Sequence, residues 1–446
     1  MIMEISGRII LSQLTKKAAD DIKSALTLDN PAYWRAVRKN PKAKYALSPV
    51  FKYYVEKENK LIVGRGLEER IKIYCRANFT PLQIIDARTK TPAGIQSTIS
   101  LRPYQVGIPE EIVKNYTGIV RLGTGFGKTI IGLRVAELLG QKTLIVVPTL
   151  DILNLFYEEV QNYFGTPPGV IQGKNFEVKD VTVATIQSLK KAVNRGLQPD
   201  DFGTIIVDEC HKFISKQAQT VFEYFTPTYF YGLTATADRS DGQGKAIGFY
   251  FGNIIVSREL EQHSPKVEIV EYPEKYDGVE YYEIIEAQTK SEERNRLIVE
   301  KVKAEISSGR KVLILTKRIA HYEIIKEKLL ASKIKNVFTL NSKDTRKNRA
   351  EKLLGLRSGE TDFTVLLGTF SLLGTGIDIP RLDTLILAGD LRSEVLTKQS
   401  AGRIRRILTG KKQPKIIDLV DTGNRILHYQ GKQRSKFYKS EGWKII

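Results

Sequence analysis

Three short stretches of this 446-residue chain carry residue types whose spacing suits phosphate chemistry. The first is VRLGTGFGKTIIG, residues 120–132, where Gly127-Lys128-Thr129 closes a glycine-rich run between an apolar strand pattern and a helix pattern. In that setting the backbone N–H groups of Gly123, Thr124, Gly125, Phe126 and Gly127 face phosphates. The Lys128 ammonium reaches the β and γ phosphates, and the Thr129 hydroxyl holds Mg2+. Leu122 stands where such a loop usually begins with Gly, so alone the run also fits a chance match or a kinase-like NTPase.

The second stretch is IIVDECHKF, which puts Asp208 and Glu209 at the C-terminal end of an apolar strand and so at the rim of a sheet. Asp208 suits Mg2+ held through water, and Glu209 suits orienting and activating an attacking water. The bland alternative is a solvated loop pair, although two carboxylates buried side by side without a metal are costly. The third stretch is QSAGRIRR, where Gln399, Gly402, Arg403 and Arg406 spell QxxGRxxR. Spacing of i, i+3 predicts both arginines on one helical face, where they suit the charge developing on a γ-phosphoryl group. A basic surface helix is the alternative.

These residues need elements to carry them. GIVRL, KTLIVVP, VTVAT and TIIVDE are brief, β-branched and bounded by Gly, Pro or Thr, the pattern of buried parallel strands. TIIGLRVAELLG and LDILNLFYEEVQNYFG supply the helices between them, which gives a doubly wound α/β domain ending near Glu261. A second series follows in RKVLILT, NVFTL, FTVLLGT, TLILA and KIIDLV, with RIAHYEIIKEKLLAS as a helix. Two tandem α/β domains make the crevice between them the expected place for ligands. Gln262 to Gly278, with two Pro and several charges, is the expected linker. Residues 1–98 predict a small α+β unit, with helices in KKAADDIKSAL and PAYWRAVRK and strands in SPVFKYYVEKENKLIVG and RIKIYC. A turn at Glu58-Asn59-Lys60 would join two of those strands.

The net charge of +20 and pI near 9.6 point to a polyanionic partner, with nucleic acid first. Residues 1–98 hold 18 Lys+Arg against 9 Asp+Glu, and 391–446 hold 14 against 4, so the excess sits at the two ends. Cys75 and Cys210 are too few for a disulfide framework, and a reducing compartment fits. No apolar run approaches the roughly 18 residues of a membrane span and no cleavable signal pattern opens the chain. The expectation is a soluble intracellular protein of the cytoplasm, of a bacterium or phage-infected cell, with no membrane partner.

Taken in order, these motifs resemble the superfamily 2 helicases and translocases, nearest to the XPB-like branch and the phage UvsW-type enzymes that process branched DNA. The likeness covers about residues 99 to 440. It implies two RecA-like doubly wound parallel-sheet domains, 99–262 and 263–446, behind a basic N-terminal α+β domain, 1–98, that docks duplex or branched DNA. LRPYQ is similar to the family's adenine-recognition element, with Arg102 and Gln105 beside the base. LGTGFGKT is the phosphate loop, DECH the DEAD/DEAH-type box, and LTATA the partner of His211 through Thr234 and Thr236. Burial of His211 as an ordinary core histidine is the other reading.

The resemblance also implies nucleic-acid contacts at Pro148 and Thr149, Thr185 and Gln187, and Thr369. Lys317, Arg318, His321, Asn341 and Ser342 take the matching edge of the second domain. Gly376 and Asp378 approach the ATP ribose or the arginine fingers, and Gln399 couples hydrolysis to movement. ADRSDG after LTATA departs from the Arg-Glu-Asp element of the XPB branch, so no separation wedge is expected there.

The expected activity is an ATP- and Mg2+-dependent DNA helicase or translocase on forked or branched DNA, acting as a monomer. Trp34, Tyr53 and Tyr54 are either core or stacking groups of the N-terminal domain. The rivals are an RNA helicase or RNA sensor, and an ATP-gated DNA-binding subunit of a restriction or repair complex that does not itself unwind. A metabolic P-loop kinase explains neither the second α/β series nor the charge.

Overall fold

A computed structural model describes residues 1–40, 42, 45–123, 125–235, 244–260, 263–276, 278, 280–340, 355–356, 359–370, 379–389, 391 and 394–446. Thr124, Thr236, Asn341, Ser342, Gly376, Asp378 and the ADRSDG segment lie outside these residues, as does the side chain of Gln399. The chain divides into two compact units, Met1–Glu259 and Leu260–Ile446.

The first unit holds two sheets. β1 (Ile2–Ile5), β2 (Arg8–Ser12), β5 (Tyr54–Lys57), β6 (Lys60–Gly64) and β7 (Gln83–Asp86) run in the order β5-β6-β2-β1-β7, and β3 (Thr27–Asp29) and β4 (Val50–Lys52) form a separate antiparallel pair. Alternation sets the register: Met3, Ile5, Ile9 and Leu11 are fully buried while their neighbours stay half-exposed. Glu58 and Asn59, with φ of 49° and 58°, make the tight turn between β5 and β6 that the sequence anticipated. Helices α1 (Lys16–Ala25) and α2 (Pro31–Lys39) also form where expected, capped by Thr15 and Asn30.

RIKIYC does not form a strand. It lies in α3 (Glu68–Ala77), where Ile71 and Cys75 are buried one turn apart and Ile73 is 58% exposed. Its β-branched period-2 look competed with an i, i+4 pattern, and Glu68 and Glu69 at the positive helix end, both paired with Lys72, decided it.

The second sheet of this unit has eight strands in the order β11-β10-β12-β9-β13-β14-β8-β15. These are β8 (Thr117–Leu122), β9 (Thr143–Val147), β10 (Gly169–Gln172), β11 (Asn175–Phe176), β12 (Val181–Thr185), β13 (Thr204–Asp208), β14 (Tyr229–Thr234) and β15 (Ile254–Arg258). All pairings are parallel except β10 with β11. The helices α4 (Ile108–Ile112), α5 (Lys128–Leu139), α6 (Leu150–Phe164), α7 (Ile186–Val193), α8 (Lys216–Phe222) and α9 (Gly244–Phe251) accompany it. Every residue of β9, β12 and β13 is buried, as covered parallel strands require.

The two sheets of the first unit share a core. Ala246 and Phe249 of α9 pack among Met3, Leu61, Leu67 and Tyr53, which makes Tyr53 a core residue and not a stacking platform. Arg65, 2% exposed, donates from Nε to Thr117 Oγ1 at 3.0 Å, from Nη2 to the Thr228 carbonyl at 2.6 Å and from Nη1 to the Pro227 carbonyl. A Cβ at Gly66 would lie 2.2 Å from the Gly252 nitrogen, so only glycine permits that approach.

The second unit holds one parallel sheet in the order β18-β19-β17-β20-β21-β16-β22. Its strands are β16 (Lys266–Tyr272), β17 (Val312–Thr316), β18 (Val337–Thr339), β19 (Val365–Thr369), β20 (Thr384–Leu387), β21 (Lys415–Asp421) and β22 (Lys444–Ile445). The segment expected as a linker instead supplies β16, which pairs with β21 over seven residues. Pro265 and Pro273 bracket that strand without interrupting it, and Glu268 within it pairs with Lys301 and Lys415. Helices α10 (Tyr281–Lys290), α11 (Glu292–Ser307) and α12 (Ile319–Ala331) cover the sheet, with two further helices at Glu394–Gly402 and Arg425–Ser440.

Candidate nucleotide and nucleic-acid site

β8 ends at Leu122, which is fully buried, so the apolar residue that broke the glycine-first pattern is the last core residue of the strand. The loop after it turns on Gly125 and Gly127, whose φ values of 84° and 89° are left-handed. α5 then begins at Lys128 with Gly127 as its N-cap and no side-chain cap, which leaves its first N–H groups for an anion.

Gln105 braces this loop. It is 3% exposed, donates from Nε2 to the Phe126 carbonyl at 2.7 Å and accepts from the Arg102 N–H at 2.9 Å. A Cβ on Gly127 would sit 2.4 Å from that same Nε2. The Gln105 amide keeps one more donor and one more acceptor position, the pair that a nucleobase edge needs. Arg102 Nη1 meets the Tyr104 hydroxyl at 2.9 Å, and the Tyr104 ring stands edge-on to Phe126.

β13 carries Asp208 to the same rim. Asp208 is 7% exposed; burial, and then the Glu209 charge, push its carboxyl pKa upward, while Lys128 offsets part of that. Glu209 adopts φ 51°, ψ 49°, a left-handed geometry that costs a non-glycine residue about 1 kcal/mol. Its Oε1 lies 3.8 Å from Lys128 Nζ, and its Oε2 lies 3.4 Å from His211 Nδ1, buried without a hydrogen bond. His211 Nδ1 is 2.9 Å from Thr234 Oγ1 at the end of β14. Lys128, Glu209, His211 and Thr234 therefore form a continuous polar chain from the phosphate loop to the neighbouring strand end.

The oxygen donors fit Mg2+. Among the described residues no cluster of three or more His, Cys, Asp or Glu forms a metal cage. The Thr129 hydroxyl and Asp208 carboxylate, completed by waters and phosphate oxygens, match the way this ion is held beside nucleotides. The orphaned Glu209 Oε2 suits an ordered water.

At the next strand ends Pro148, Thr149 and Gln187 line a groove of about 630 Å3. Lys190, Lys191, Asn194, Lys212, Ser215 and Gln217 complete its polar wall, and no carboxylate among the described residues lines it. Sequence reasoning missed these lysines; the signal was the Lys190-Lys191 pair within a turn of Gln187. Thr149 also caps α6 through the Ile152 N–H at 3.4 Å. Thr185 is 5% exposed with its hydroxyl 2.9 Å from Ser188 Oγ, so its side chain serves the start of α7.

In the second unit Lys317 and Arg318 follow β17, with Lys317 Nζ 5.7 Å from the Tyr281 ring centre. Thr369 ends β19 and is 5% exposed. His321 is not on the surface. It is 2% exposed, its Nε2 meets Asn295 Oδ1 at 2.9 Å, and burial, with Arg294 nearby, pushes its pKa down to about 3. A nucleic-acid contact there is corrected to a neutral core histidine. The helical placement of Arg403 and Arg406 is corrected as well. The helix stops at Gly402, and the Arg403 and Ile404 N–H groups fold back on the Ser400 and Ala401 carbonyls as Ile404 enters the core. Arg403 lies in that turn and Arg406 follows it, both half-exposed.

Comparison with known proteins accords with this geometry. Residues 98–239 match the model of the type III restriction enzyme res subunit, and 293–408 the helicase conserved C-terminal domain. The putative helicase 161L of Invertebrate iridescent virus 6 is 31% identical over 385 residues, 80% of this chain and 85% of that protein. The chain belongs to the superfamily 2 helicases. Membership carries ATP-driven movement on, or unwinding of, nucleic acid. The helicase is also 26% identical to the DNA 3'-5' translocase XPB2 of Sulfurisphaera tokodaii, over 74% of this chain and 83% of that protein. S. cerevisiae Dbp5, solved with RNA and ADP BeF3, shares its RecA-like fold with a TM-score of 0.53 at 15% identity, covering 76% of this helicase and 89% of Dbp5. No helix among the described residues is long and apolar enough to cross a membrane.

Proposed function

We propose that this helicase is an ATP-dependent DNA translocase acting on forked or branched DNA, in replication, recombination or repair. The observation that carries the proposal is the polar chain from Lys128 through Glu209 and His211 to Thr234, on the same sheet rim as the lysine-walled groove. Lys212 of the groove wall directly follows His211 in the chain, so a change at the phosphate loop has a route through Glu209 and His211 toward the groove that holds the strand. In this reading Lys128 holds phosphate, Thr129 and Asp208 hold Mg2+, and Glu209 orients water. When bound, the ion neutralises phosphate charge. Arg403 and Arg406 of the second unit act as arginine fingers, with Gln399, Gly376 and Asp378 assisting; Gln105 and Arg102 receive the base.

The translocase relative supports the DNA reading, and an RNA helicase relative of Acanthamoeba polyphaga mimivirus, at the same 26% identity, supports the rival. The basic residues 1–98 are read as the part that docks the duplex arm, joined firmly to the first motor sheet through Arg65. The restriction-subunit match supports a second reading, an ATP-gated subunit that does not unwind alone. ATPase and strand displacement by the isolated chain on single strands, forks, four-way junctions and RNA duplexes separate the readings. Displacement of forked DNA supports the first, and DNA-stimulated turnover without displacement the second.

A further inference from the structure

We propose that the outer face of the Arg425–Ser440 helix is a docking stripe for the phosphate backbone of duplex DNA. The inference rests on DNA as the substrate and lies outside both matched family models, the second of which ends at residue 408. The inner face of the helix is fixed. Leu427, Gln430, Gly431, Arg434, Phe437 and Tyr438 are buried. Arg434 donates to both oxygens of Asp418 at 2.8 Å and to the Leu391 carbonyl at 2.9 Å, and the Tyr438 hydroxyl meets Asp418 Oδ2 at 2.8 Å.

The outer face is of one sign. Arg425, Tyr429, Lys432, Lys436 and Lys439 are all exposed. Their spacing of four, three, four and three residues keeps them within an arc of about 80° along roughly 21 Å of helix. The helix contains no Asp or Glu, and its one ion pair among the described residues is the buried Arg434–Asp418. Stability alone would choose differently. Arg425 stands at the positive end of the helix dipole with no acid in the first turn, and Lys432, Lys436 and Lys439 are like-charged neighbours. A merely solvated face mixes signs; this one is complementary to a polyanion.

Tyr429, 62% exposed, lies in the stripe, and with Arg425, Ile426, His428 and Lys432 it lines a shallow depression. Its hydroxyl adds an uncharged donor suited to a phosphate oxygen. One aromatic on a helix pinned along its inner face is not the row of stacking platforms that single strands use. The exposed apolar side chains, Ile426 and Tyr429, are too few to insert into a lipid surface. A duplex, which presents one charge per roughly 1.7 Å of axis, fits the stripe best.

The test is the salt dependence of binding to a labelled fork with a long duplex arm, for the wild type and for Arg425→Ala/Lys432→Ala/Lys436→Ala/Lys439→Ala. Loss of four phosphate contacts lowers the slope of log K against log salt by about 3.6, at roughly 0.9 per contact. The wild type then loses roughly a hundredfold more affinity than the variant between 50 and 200 mM salt. Basal ATPase without DNA stays unchanged. An unchanged slope on the duplex, or a fall confined to single strands, overturns the inference. So does loss of binding to phosphatidylserine vesicles with the DNA slope intact. A wild type that neither binds DNA nor is stimulated by it refutes the DNA reading itself, which is a different failure from an unchanged slope in a stimulated enzyme.

Discussion

Gly127→Ala tests the phosphate loop through a single methyl group. A side chain at φ 89° is strained whatever the space around it, and the new Cβ would lie 2.4 Å from Gln105 Nε2. The left-handed geometry costs about 1 kcal/mol. Driving Gln105 away breaks its bonds to the Phe126 carbonyl and the Arg102 N–H, each contributing about 1 kcal/mol. The sum, about 3 kcal/mol, falls on the ATP-competent form of the loop and weakens nucleotide binding roughly a hundredfold. The assay is titration with a fluorescent ATP analogue, with thermal unfolding as a control for the fold. Gln105→Ala removes the colliding atom, so in that background Gly127→Ala costs only the conformational part, about 1 kcal/mol or fivefold. Equal effects of Gly127→Ala in both backgrounds would refute the brace.

Three further outcomes follow from the geometry. Arg65→Ala leaves two buried carbonyls and the Thr117 hydroxyl without their donor, so the first unit loses roughly 3 kcal/mol of stability. Lys in its place restores less than half, because a point charge does not span the fork; unchanged denaturation of Arg65→Ala contradicts this. His321 has a folded pKa near 3 against about 6.5 when unfolded, so below pH 6.5 the unfolded chain takes up a proton that the folded one refuses. Stability of the second unit therefore falls as pH drops through that window, by roughly 2 kcal/mol at pH 5. His321→Gln flattens the loss, and an equal pH slope in the variant refutes it. Lys190→Ala/Lys191→Ala raises the single-strand concentration needed for half-maximal ATPase and lowers the salt slope by about 1.4, with kcat unchanged; no shift in either removes the groove from the track.

The motor was legible because its residues stand on strands whose aliphatic runs are unmistakable, and Lys128, Asp208 and Glu209 all follow such runs. What stayed hidden depended on tertiary choice. RIKIYC satisfies two periods at once, and its flanking charges selected the helix. β16 hid between prolines because its partner β21 lies about 150 residues away. Burial of His321 needed Asn295 and Arg294 from α11. The QxxGRxxR spacing named the arginines, but local pattern did not reveal that Ile404 pulls the chain out of the helix after Gly402.

In the proposed cycle, nucleotide hydrolysis at Lys128 and Glu209 is driven by a branched DNA track. The most direct measurement is steady-state ATPase of the full chain against equal nucleotide concentrations of single-stranded DNA, forked DNA, a four-way junction and duplex RNA, with Lys128→Ala alongside. Stimulation by DNA is expected, greatest on the fork or junction, and it is lost in Lys128→Ala with DNA binding largely retained. Stimulation by RNA alone, or undiminished turnover in Lys128→Ala, would contradict it.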